Sequence, residues 1–173
     1  MRFAAVSFVV ALILSSGLPA SADPPADPAA VKQDEDGYWR DKNGDPTFKI
    51  APEGKVDFAT YEGFRRYHSD CHVCHGPDGM GSSYAPALAD SLKTIDYTTF
   101  AGIVVNGRPD FMNGQDKVMP TFAENKNVTC YLNDIYIYLR ARSQDAVPRG
   151  RPAKHETKPA TYDSNETKCL NGD

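Results

Sequence analysis

"SDCHVCHGPDGMG" (residues 69–81) sets two cysteines around two residues and puts a histidine directly after them, Cys71-His72-Val73-Cys74-His75. Three chemistries use such a cluster. A structural zinc site takes four ligands, usually from a second Cys-x-x-Cys or a histidine pair, and the other cysteines, Cys130 and Cys169, are isolated. A thioredoxin-like dithiol sits between strand and helix of a βαβ unit, whereas this motif follows a helical pattern. Covalent haem attachment takes two thiols at the reach of the two vinyl groups, with a neighbouring imidazole for the iron. Cys71, Cys74 and His75 meet that requirement directly, so haem is the expected cofactor. His72 must point elsewhere, and it is read with His68 and His155 as a solvated bystander.

An iron held by His75 needs a sixth ligand or stays open. Methionine is the softer donor and raises the reduction potential. Met80 is five residues past His75, too near to cross to the other haem face. Met112 and Met119 are far enough. Met119 precedes Pro120, which biases it toward an extended backbone suited to presenting a side chain to a flat ring. Met119 is favoured, with Met112 and an open or histidine-bound site as alternatives. The other nitrogen of an iron-bound imidazole is normally held by an acceptor. Pro86, 11 residues after His75 in "YAPAL", can turn a carbonyl toward the ring, and Leu88 can lie on the porphyrin.

Upstream, "DFATYEGFRRYHS" (57–69) predicts a helix with Phe58, Tyr61, Phe64 and Tyr67 on an apolar stripe. Gly63 in its middle costs about 1 kcal/mol relative to alanine, which points to a second helix passing close. Downstream, a short helix is expected over residues 96–106, closed by Asn106-Gly107. The clearest helix runs from Asn127 to Ser143, striped by Tyr131, Leu132, Ile135, Tyr138 and Leu139. Arg140 and Arg142 suit the dipole at its end. Residues 76–94 and the stretch leading to Met119-Pro120 read as loops. Asn43-Gly44, between Tyr38-Trp39-Arg40 and Thr47-Phe48-Lys49-Ile50, predicts a β-hairpin. Its aromatics should pack on the domain surface, because an isolated hairpin is marginal in water. Residues 23–36 read as a flexible lead-in, and the polar, proline-rich residues 144–173 as a tail that would by itself be disordered. The apolar content is modest for the size, and a haem would fill the missing interior.

The chain opens "MRFAAVSFVVALILSSGLPASA". Arg2, an apolar run over residues 3–14 and Ala20-Ser21-Ala22 make residues 1–22 an expected signal peptide for export to the periplasm. The run is too short to span a bilayer comfortably. Its removal takes one arginine and no acid from the totals of 19 and 23, leaving a net charge of −5. That argues against nucleic acid, which demands basic surface. It suits a periplasmic protein that meets partners through charged patches.

Gly63 and Tyr67 before the motif, Cys71-x-x-Cys74-His75-Gly76, Pro86-Ala87-Leu88, Met119-Pro120-x-Phe122 and Ile135-x-x-Tyr138-Leu139 together resemble class I cytochromes c over about residues 57–143. The resemblance implies a mainly α, class I cytochrome c fold around one covalent haem c. In it the first and last helices cross, the Pro86 carbonyl accepts from His75, and Met119 is the sixth ligand. "GYWRDKNGDPTFKI", "RRYHSDCHVCHGPDG", "VMPTF", "NVTCYLNDIYIYLRARS" and "RGRPAKHE" are similar, more narrowly, to methanol-metabolism-related c-type cytochromes. These are the XoxG and cytochrome cL type of electron acceptor for PQQ-dependent methanol dehydrogenases. Cys130 and Cys169 are left over once haem takes its pair. In an oxidising periplasm they are expected to form a disulfide. It would close a loop of about 40 residues, contribute roughly 4 kcal/mol, and pin the tail. The expected division is signal peptide 1–22, lead-in and hairpin extension 23–56, cytochrome c domain 57–143, and tail 144–173 tethered by Cys130–Cys169.

A six-coordinate His/Met haem offers substrate no open position, so a periplasmic one-electron carrier is expected rather than an enzyme. The resemblance implies a PQQ-dependent methanol or alcohol dehydrogenase as donor and another cytochrome c or a terminal oxidase as acceptor. Such contacts are small and transient, and Arg108 and Lys117 could steer them. A peroxidase-like haem enzyme, or a carrier for a different periplasmic dehydrogenase, is the alternative. A bound calcium, carried by some relatives, is not predicted.

Overall fold

A computed structural model describes residues 28–110 and 117–172; the expected signal peptide and Met112 lie outside them. In chain order the first elements are β1 (Lys32–Gln33), β2 (Trp39–Arg40), β3 (Pro46–Thr47), α1 (Phe58–Asp70) and α2 (His72–His75). A 3-10 turn (Pro77–Gly79), α3 (Leu88–Ser91), α4 (Tyr97–Asn106), β4 (Arg108–Asp110) and β5 (Lys117–Met119) follow. The chain closes with α5 (Lys126–Thr129), α6 (Leu132–Ser143) and α7 (Ala160–Asn171). The mainly helical architecture expected from sequence is present.

Helix α1 starts where the Asp57 carboxylate accepts from the Thr60 N–H at 2.9 Å and the Thr60 hydroxyl at 2.6 Å. Phe58, Tyr61 and Tyr67 are buried, and Phe64 packs half-buried beside them. Helix α6 crosses α1 at Gly63, where a Cβ would lie 1.9 Å from the Asp134 backbone oxygen and 2.8 Å from the Tyr138 Cβ. Only a hydrogen fits there, which explains the glycine in a helix it would otherwise weaken.

Every residue of α6 from Asp134 to Ser143 is buried. A one-sided stripe does not anticipate this, because material from outside the helical core covers the other faces. Arg140 and Arg142, read from sequence only as suiting the helix dipole, are 5 % and 6 % exposed. Arg140 Nη2 meets the buried Asp41 carboxylate at 2.7 Å, and its Nη1 donates to the Pro46 carbonyl at 3.1 Å. The N-terminal extension is thus bolted to α6. It forms a three-stranded antiparallel sheet, β1-β2-β3, with Trp39 opposite both Gln33 and Thr47.

The single helix expected over residues 127–143 is two. Asn125 caps α5 by accepting from the Asn127 N–H at 3.0 Å. Tyr131 then leaves helical geometry (φ −120°, ψ 19°). Its ring lies under the Arg66 guanidinium at 3.4 Å and its hydroxyl donates to Glu166 at 2.7 Å. Tertiary contacts override the helical period here. The loop expected before Met119 is instead a β4–β5 hairpin with Arg108 opposite Met119.

The tail is ordered as a strap and a helix. His155, expected to be a bystander, stacks on Tyr61 at 3.6 Å, and its neighbours exchange backbone hydrogen bonds with Val56. Helix α7 buries Tyr162, whose hydroxyl donates to Asp134 Oδ2 at 2.8 Å. Tyr38 of the extension donates to the same oxygen at 3.2 Å. Cys130 and Cys169 are disulfide-bonded, as expected, closing a sequence separation of 39. Among the described residues no helix is long and apolar enough to cross a membrane.

Candidate functional site

The last turn of α1 runs directly into α2. The Cys71 N–H donates to the Tyr67 carbonyl at 2.9 Å and the His75 N–H to the Cys71 carbonyl at 3.0 Å. Both thiols and the imidazole therefore sit on one continuous stretch of turns. Cys71 is half-buried, Cys74 is exposed, and both are free thiols. His75 is buried, with Nδ1 3.0 Å from the Pro86 carbonyl. A carbonyl can only accept, so Nδ1 carries the hydrogen and Nε2 of the neutral ring presents its lone pair. This is the tautomer a metal ligand needs.

The chain then doubles back. Gly76 has φ +72°, and a Cβ there would lie 2.2 Å from the Gly81 carbonyl oxygen. The buried Tyr67 hydroxyl closes the turn from inside, donating to the Gly76 carbonyl at 2.5 Å and accepting from the Gly79 N–H at 3.0 Å. Burial pushes that phenol up, so it remains a donor. Asp78, left-handed at φ 58°, is gripped by groups from α1, α6 and the tail. Sequence reasoning placed Tyr67 on an apolar stripe and at the helix crossing, not as the clamp of this turn, and it missed Asp78. An aspartate between proline and glycine was the available signal, since Asp tolerates such turn geometry.

Leu88 and Met119 pack half-buried against the same core cluster as Cys71 and Phe122. Met119 ends β5, and its approach to α4 depends on Gly107. There φ is +74°, and a Cβ would lie 2.7 Å from the Met119 carbonyl oxygen. The Thr121 hydroxyl donates to the Val105 carbonyl at 2.5 Å and the Phe122 N–H to the Val104 carbonyl at 3.1 Å, fixing the segment after Met119. Met80, set aside on spacing, turns its sulfur toward Arg142 Nη2 at 3.7 Å.

The two rival chemistries find no support. Among the described residues no three His, Cys, Asp or Glu side chains cluster as a metal site. Burial, with Asp70 and Cys74 adding to it, pushes the Cys71 thiol up to about 12. Redox dithiols need the opposite, a lowered thiol.

Cytochrome c-555 of Methylococcus capsulatus is 39% identical to this chain over 100 residues, which span 57% of this chain and 75% of that protein. The chain belongs to the c-type cytochromes. Cytochrome c-553I of Paracoccus denitrificans is 50% identical to it over 138 residues, 80% of this chain. The cytochrome spans 61% of the length of that relative. The crystal structure of the c-type cytochrome XoxG from Methylobacterium extorquens AM1 matches it with a TM-score of 0.76 and 51% identity, covering 83% of this chain and 87% of that one. The cytochrome is thus of the class I, XoxG-like kind. No family model matches it. Proteins so named carry covalently bound haem c and transfer electrons rather than transform a substrate. The donor set suits that group, with two free thiols, a buried imidazole in the ligating tautomer and a half-buried thioether on a braced strand.

Proposed function

We propose that this cytochrome is a periplasmic one-electron carrier with a single haem c. In this reading it accepts electrons from a PQQ-dependent methanol or alcohol dehydrogenase and passes them to another cytochrome c or a terminal oxidase. The observation that carries the reading is the 3.0 Å contact between His75 Nδ1 and the Pro86 carbonyl, on the turn that also presents Cys71 and Cys74. The likeness to XoxG supports the choice of donor.

When bound, the haem supplies the ferric/ferrous couple. Cys71 and Cys74 would hold it by thioethers, and His75 Nε2 and the Met119 sulfur would ligate its iron. Pro86 keeps the imidazole oriented, and Tyr67 fixes the turn that carries it. Gly107 lets the Met119 strand lie against α4. These residues leave a ligated iron little reorganisation to make as its charge changes, which is what a carrier requires.

An absorption spectrum of the reduced periplasmic protein with a pyridine haemochrome is expected to show one haem c per chain. A colourless, folded product from cells competent in cytochrome maturation overturns the haem reading. Met119→Ala should lose the weak methionine-ligand band at the red edge of the visible spectrum and begin to bind carbon monoxide. Retention of the band refutes Met119 as ligand. Stopped-flow mixing with a PQQ methanol dehydrogenase should reduce the haem above background. No reduction sinks that pairing.

A further inference from the structure

Asp78 lies three residues past His75, and its side chain is 8 % exposed. From α6, Tyr138 Oη donates to Oδ1 at 3.3 Å. From α1, His68 Nε2 lies 3.4 Å from the same oxygen. From the tail, the Gly150 N–H donates to Oδ1 at 3.0 Å and Arg149 Nε to Oδ2 at 3.3 Å. Arg142, also buried, donates to the Asp78 backbone carbonyl at 3.3 Å and to the Val147 carbonyl at 2.5 Å. Burial alone would raise the carboxyl, but the Gly150 N–H, the Arg149 guanidinium, His68 and Tyr138 outweigh it and hold Asp78 below the usual carboxylate range. Asp78 is therefore a fixed negative charge at neutral pH.

Charge in a low-dielectric interior is screened far less than charge in water. Haem potentials respond to nearby charge, hydrogen bonding and burial. A buried anion favours the ferric iron, which carries the extra positive charge, and so lowers the potential. Two of the groups that hold the anion, Arg149 and Gly150, come from the tail rather than from the helical core.

We propose that Asp78 tunes the reduction potential of the haem, and that the tail segment around Arg149 and Gly150 sets that potential through it. The inference rests on the haem reading above. Tyr67 keeps the turn bearing Asp78 at a constant place, so the carboxylate and its partners act as a fixed field. Arg149, whose side chain is 61 % exposed, offsets part of the Asp78 charge from the solvent side.

The test is spectroelectrochemical titration of the full-length haem-loaded protein. Asp78→Asn keeps the shape and tolerates the left-handed backbone but removes the charge, so the potential should move positive. Arg149→Gln removes the offsetting cation, so the potential should move negative, by less because the side chain is exposed. In the double variant the Arg149 effect should shrink. Unmoved potentials in red-coloured, methionine-ligated variants, or shifts of the same sign, overturn the inference while leaving the haem reading intact. A colourless protein overturns both. If Asp78→Asn does not fold, Arg149→Gln decides alone: a negative shift carries the inference and an unchanged potential ends it.

Discussion

At the crossing of α1 and α6, two helices meet through a missing side chain. Gly63 lets the backbones touch, and the aromatic and aliphatic groups of both helices fill the space around them. On the other faces of α6 the extension and the tail are fixed by named polar groups instead. Asp41 meets Arg140, two tyrosines meet Asp134, Tyr131 meets Glu166, and one disulfide closes the tail. The apolar crossing depends on volume and is indifferent to which particular atoms fill it, provided nothing is added at Gly63. The polar attachments depend on complete pairs, because a buried group stripped of its partner keeps its desolvation cost.

The largest effect should come from breaking the crossing. Gly63→Val drives a branched side chain into the Asp134 backbone. It is expected to cost more than about 5 kcal/mol, the low end of a whole domain's stability. Circular dichroism should find no cooperative folded state. Removing the covalent attachment comes next. Cys130→Ser with Cys169→Ser opens a loop of sequence separation 39. It should cost roughly 4 kcal/mol by denaturant titration. The non-covalent contacts of α7 should still protect its amides from exchange, more weakly than before. Asp41→Asn takes the carboxylate from Arg140 and should cost about 3 kcal/mol, the cost of splitting a buried pair. An unchanged denaturation midpoint would show that the extension is held otherwise.

The smallest effect is a slope. Burial raises the Asp134 carboxyl well above its ordinary value, against the lowering effect of the Tyr162 and Tyr38 hydroxyls, and its Oδ1 is buried without a partner. The fold therefore keeps a proton that the unfolded chain releases above about pH 4. The contribution of this group is complete below that pH and declines as pH rises toward the raised value, by at most about 1.4 kcal/mol per pH unit. Asp134→Asn removes the decline. Denaturant unfolding between pH 5 and 8 should show the variant gaining on the parent as pH rises, and parallel curves would contradict a neutral Asp134 in the fold.

Much of the crossing and of the attachment turn was legible in sequence because the signals are local. Cys71, Cys74 and His75 are adjacent, Pro86 follows within one loop, and Gly63 stands out in a helix that would prefer alanine. Of the attachments, only the Cys130–Cys169 disulfide was legible; the polar ones were not. Helix α7 buries only Tyr162, too little for a period to be seen. Arg140 and Arg142 look like any basic helix end until partners distant in sequence are known. The β4–β5 hairpin contains a proline, which argues against a strand, yet it pairs at Arg108 and Met119. The break between α5 and α6 follows from where the Tyr131 ring and hydroxyl must go, which only Arg66 and Glu166 reveal.

One oxygen of Asp134 receives the phenols of both Tyr38 and Tyr162. The beginning and the end of the described chain are therefore stitched to a common button. Cleavage within either arm would leave that oxygen with a single donor. Limited proteolysis at one terminus should then loosen the opposite terminus, and the two arms should unravel together.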